Sequence, residues 1–133
     1  MTFGQQKMKN EYKIDGAVFG DFQGFVAHFN ATVLKEGCWH GNLDAFNDIL
    51  NGGFGTPEDG LVLSWHNSEK SRKDLGYEAT IQWLEDVMKK CHPSNVPEMQ
   101  KRLADARKNQ GATLFDVIVE IIGDHEDIEL KLK

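Results

Sequence analysis

Two cysteines, three prolines and the lack of any long hydrophobic run separate this chain from several classes of protein at once. Cys38 and Cys91 are too few for the disulfide framework that staples small secreted domains, so two free thiols in a reducing compartment, the cytoplasm, are expected. No segment approaches the roughly twenty consecutive apolar residues of a membrane span, and the first nine residues are polar with no apolar signal region behind them. Neither membrane association nor export is expected. Basic residues are in the minority, 15 against 21 acidic ones, and the resulting formal charge of -6 repels phosphate backbones, which disfavours direct nucleic-acid binding. The same charge favours encounter with a basic protein, although solubility alone also accounts for surplus acid.

Catalytic and cofactor signatures are missing too. There is no glycine-rich phosphate loop, and the five scattered histidines satisfy no triad pattern. Cys38, His40, Cys91 and His92 offer zinc-type ligands, but they fall in two separate segments without ligand spacing. No metal, no cofactor and no enzymatic activity are expected.

What is present reads as a single domain over residues 1–133, with 40% hydrophobic and 27% charged residues, close to globular averages. Tyr12 and Ile14 alternate with charges ahead of an Asp15-Gly16 turn, which predicts a first strand. Asp21 caps a helix carrying Phe22, Phe25, Phe29 and Val33 and stopped near Gly37, and Asn42 caps a second, short helix with Leu43, Phe46 and Leu50 inward. After the glycine-rich stretch 52–60, the run Leu61-Val62-Leu63 predicts a strand covered on both faces. Residues 68–75 and 79–91 suit helices, with His92-Pro93 a break and 93–97 the most plausible hinge. Pro97 suits the first turn of the next helix, and Thr113 with Asp116 resembles a capping box opening a helix to Gly123. Residues 124–127 form a polar turn, and Ile128, Leu130 and Leu132 alternate with charges in a last strand. Strands separated by helices predict an α/β fold with a small, mainly parallel three-stranded sheet and helices packed on it.

Asp44 and Asp48 are four residues apart on the second helix, so both carboxylates share one face, opposite Leu43, Phe46 and Leu50. From spacing alone a solvated helix face is the simplest account. An acid–base pair or a negative knob for a cationic pocket are the alternatives, and the first of these needs a cleft that an outward helix face does not provide. Glu120 lies in an apolar helix and is expected to point to solvent.

The run from Cys38 to Leu50, Cys-Trp-His-Gly-Asn-Leu-Asp-Ala-Phe-Asn-Asp-Ile-Leu, resembles the signature of the barstar family of ribonuclease inhibitors. Leu61-Val62-Leu63-Ser64-Trp65, Ser68 to Ser71, Ile14-Asp15-Gly16 and Thr113 to Leu132 extend the resemblance, leaving 77–112 as a helical insertion. The resemblance implies a barstar-like monomer that plugs the active site of a basic ribonuclease, either a secreted enzyme of the same cell or an incoming toxin. Carboxylates would there replace RNA phosphates. It also implies that Asp48 occupies the phosphate site, with Asp44 and Asn42 beside it, Glu120 contributing from the last helix and Gly52 through its backbone; Trp39 belongs to the segment leading in. Cys38 and Asn47 stand where the founding member has aromatic residues, and with the longer 52–60 loop they would set partner choice. A barstar-like acidic adaptor for a partner that is not a nuclease is the other reading.

Overall fold

The computed structural model describes residues 10–34, 39–51 and 60–133. Strand β1 (Asn10–Asp15) leads through a one-turn 3-10 helix to α1 (Phe22–Thr32), and α2 (Leu43–Leu50) precedes β2 (Leu61–His66). Four helices follow, α3 (Ser68–Asp74), α4 (Tyr77–Met88), α5 (Val96–Arg107) and α6 (Leu114–Gly123), before β3 (Ile128–Leu132) closes the order. The sheet order is β1-β2-β3 and both pairings are parallel, as helical crossovers between successive strands require. The expected stop at Gly37 lies outside the described residues.

Local chemistry sets these boundaries. Asp21 accepts the Gly24 N–H at 2.7 Å to cap α1, and Thr113 and Asp116 form a reciprocal capping box on α6. Helix α4 begins at Tyr77, ahead of the expected position, and ends at Met88, short of Cys91. The Thr80 N–H and hydroxyl both donate to the Gly76 carbonyl, winding the chain immediately after Gly76, and the Cys91 N–H closes a separate turn on Val87. Within the 93–97 segment Pro93–Asn95 form a 3-10 turn leading into α5, whose first turn contains Pro97. Those two helices pack on one another around Leu84, Leu103 and Ala106.

The main core lies on one side of the sheet. Trp65 of β2 is fully buried, stacked on Phe25 of α1 at 5.2 Å and met edge-on by Phe115 of α6 at 5.1 Å, while its indole N–H donates to Ser71. β2 is covered on both faces, by helices on one and by neighbouring side chains on the other. Leu61, Leu63 and Trp65 meet the helices, whereas Ser64 points the opposite way. Ser64 is only 1% exposed because charged neighbours shield it: Lys13 and Lys131 flank it in register, and its hydroxyl donates to Glu11. That hydrogen bond is the main reason the Glu11 carboxyl titrates below its ordinary range.

Where β1 turns into the 3-10 helix, the Asp15 N–H donates to His28 Nε2 at 2.9 Å. Partial burial disfavours the charged ring, so His28 titrates below the usual value of about 6.5 despite the opposing pull of Asp15, and an imidazolium would in any case have no lone pair to accept this N–H. A depressed folded-state pKa means the unfolded chain binds the proton first. The stability held above about pH 6.5 should then decline as pH falls from there toward the lower folded-state value. Urea midpoints followed from pH 7.5 to 5.5 should show this slope in the native sequence and a flatter one in His28→Gln; equal slopes would reject the assignment.

Candidate functional site

Helix α2 is eight residues long and divides into two faces. Leu43, Phe46, Ile49 and Leu50 are buried, and Asp44, Asn47 and Asp48 are exposed. Asn42 starts it: its side-chain oxygen accepts the N–H groups of Asp44 at 2.8 Å and Ala45 at 3.1 Å, and Asp44 lies in the first turn near the positive end of the helix dipole. The chain reaches this cap through Gly41 at φ +102, a conformation that favours glycine, with Phe22 and Val26 at 3.4 Å from where a side chain would begin. Among the described residues no ion pair and no side-chain hydrogen bond engages Asp44 or Asp48. The helix contains no cation, so two like charges one turn apart face solvent unneutralised.

The buried side of α2 is held by an aromatic cluster. Phe46 is inaccessible and packs against Phe25, Phe29 and Trp39, the last stacked at 4.7 Å. Trp39, which the resemblance groups with the partner-binding residues, has its side chain in the core. Its ring is 4% exposed and is met by Phe22, Phe25 and Phe29, and its N–H donates to the Asn42 carbonyl at 2.8 Å, so its bulk is spent on the core. Asn30 of α1, which the sequence reading passed over, brackets the same residue. Its Nδ2 donates to the Trp39 carbonyl at 2.7 Å and its Oδ1 accepts the Trp39 N–H at 3.1 Å.

Helix α6 packs against α2 and carries Glu120 exposed, as expected. The 124–127 turn after it is tied to α2 directly, because His125 Nε2 lies 2.9 Å from Asn47 Oδ1. Asp124, Glu126 and Asp127 around that histidine are exposed. The structure thus brings Asn42, Asp44, Asn47 and Asp48 together on α2, with Glu120 on the helix packed beside it. Cys38 and Gly52, and the loop residues 52–59, lie outside the described residues.

Such a surface suits a cationic partner. Its carboxylates are exposed on a convex helix with a rigid back. Residues 10–109 match the model of the barstar (barnase inhibitor) family. The chain belongs to the barstar family. Barstar-family proteins are inhibitors and not enzymes, which agrees with carboxylates displayed on an open helix face. The match runs from β1 through α5, so it includes most of the 77–112 segment that the resemblance had set aside, and it stops before α6 and β3. No curated protein matched the sequence.

Proposed function

We propose that this protein inhibits a basic ribonuclease of the barnase type by seating the exposed face of α2 in the enzyme's active site, with Asp44 and Asp48 in place of RNA phosphates. The observation that carries the reading is the pair of unneutralised carboxylates on a helix whose opposite face is locked into the aromatic core. A preformed surface of this kind loses little conformational freedom on binding, and its charge complements a site built to hold polyanions. Asn42 positions the carboxylates through the cap, and Glu120 adds negative charge from α6. The enzyme is either the cell's own secreted ribonuclease, restrained in the cytoplasm, or an incoming toxin for which this is the immunity protein.

Titration of barnase and other basic microbial ribonucleases with the pure protein should abolish RNA hydrolysis at one equivalent, with a complex visible by size-exclusion chromatography. Stopped-flow association should slow as ionic strength rises from about 0.01 to 0.5 M, because the Debye length shrinks from about 30 Å to only a few ångströms. Rates that ignore salt would remove steering from the mechanism. Absence of a complex with every enzyme tested would remove the function.

A further inference from the structure

His125 is the one buried titratable side chain among the described residues, 8% exposed, although Asp124, Glu126 and Asp127 beside it are exposed. Its backbone occupies the turn between α6 and β3, where its N–H donates to Ile122 and its carbonyl accepts from Ile128. Its ring reaches 78 positions along the sequence to Asn47. An amide oxygen has no proton to give, so the imidazole is the donor and carries its proton on Nε2. In this arrangement Asn47 Oδ1 faces His125 and Nδ2 is directed away from it. Asn47 is exposed, one turn after Asp44 and immediately before Asp48, and among the described residues Nδ2 has no partner within the chain.

We propose that His125 is a positioning residue that holds Asn47 as an outward hydrogen-bond donor among the carboxylates of α2, and that the ribonuclease group met there is an acceptor, a main-chain carbonyl or a carboxylate. The proposal rests on the inhibitor reading above and adds a rule of selectivity to it. Carboxylates alone welcome any cationic cleft. A fixed donor between them does not, because a partner that places an arginine or lysine opposite Asn47 buries two donors face to face. A free asparagine would turn its amide over and offer oxygen instead. Here that rotation would require the ring to move its proton from Nε2 to Nδ1 so that Nε2 could accept, so the amide of Asn47 and the tautomer of His125 are set together.

Asn47→Asp separates this account from simple charge attraction. Added negative charge tightens binding to a basic enzyme if charge alone matters. Loss of the outward donor should instead weaken binding by about ten-fold, the effect of one well-placed hydrogen bond. Measured on barnase, or on whichever basic microbial ribonuclease the native protein binds most tightly, His125→Leu should weaken binding by a similar factor of about ten. His125→Gln, whose amide N–H reaches the position of Nε2, should restore affinity to within about three-fold. In an Asn47→Ala background His125→Leu should have no further effect, the coupling expected of a residue that acts through its neighbour. Thermal melts confirm that each variant folds, and nitrogen-15 correlation spectra of neutral His125 should show the proton on Nε2. A proton on Nδ1, or an Asn47→Asp protein that binds as well as the native one or better, overturns the proposal and leaves the inhibitor reading intact. Failure of the native protein to bind any of these enzymes overturns both.

Discussion

Asp48→Ala should lose inhibition while melting at the native temperature or slightly above it. The side chain is exposed on α2, opposite the buried Leu43, Phe46 and Leu50, so its removal opens no cavity. It also relieves repulsion with Asp44 one turn away, worth a few tenths of a kcal/mol on a helix. In the complex the same carboxylate would be stripped of water among cations that bind phosphate. Deleting it leaves those cations buried and unpaired, which costs far more than breaking a surface ion pair. The expected loss of binding is at least about 2 kcal/mol, the usual mark of a hot-spot residue. Asp44→Ala and Glu120→Ala should cost less, since the first lies at the start of the helix and the second on the neighbouring one. Paired melts and affinities for the three variants check the ranking. A folded Asp48→Ala protein with native affinity would show that this face is not the contact.

The second large effect falls on stability. Trp39→Ala should destabilise the fold by about 3–5 kcal/mol, the range for deleting a buried large aromatic ring. Trp39 stacks on Phe46, meets three further phenylalanine rings and holds the Asn42 carbonyl through its indole N–H. Its loss therefore leaves a cavity under α2 and loosens the cap in one step. Urea unfolding gives the measure. If Trp39→Ala instead unfolds like the native protein but binds the enzyme poorly, the indole serves recognition and its burial here is incidental.

Local signals carried much of this architecture. The Asn42 cap and the Leu43, Phe46 and Leu50 spacing bound α2, and the Thr113–Asp116 box marked the start of α6, because capping and helical periodicity are written within a few residues. Three features were not legible for one shared reason. The burial of Trp39, the asparagine bracket of Asn30 and the His125 bond to Asn47 depend on how distant segments dock. An aromatic in the short segment ahead of a helix cap reads equally well as a contact or as core, and a histidine in an acidic turn reads as solvated until α6 is placed against α2. The apolar run of β2 showed that the strand is covered but not by what: Ser64 is hidden by the side chains of neighbouring strands, which sequence order does not reveal.

The two-turn length of α2 limits what can be made from it. A helix of eight residues cut out of its protein does not hold its shape in water, since nucleation is costly and too few hydrogen bonds follow to compensate. A synthetic peptide copying Leu43–Leu50 would carry both aspartates yet present them in no fixed arrangement. Miniaturising this protein would require a chemical brace across the face now resting on Phe25, Phe29 and Trp39, placed so that it leaves the aspartate face clear.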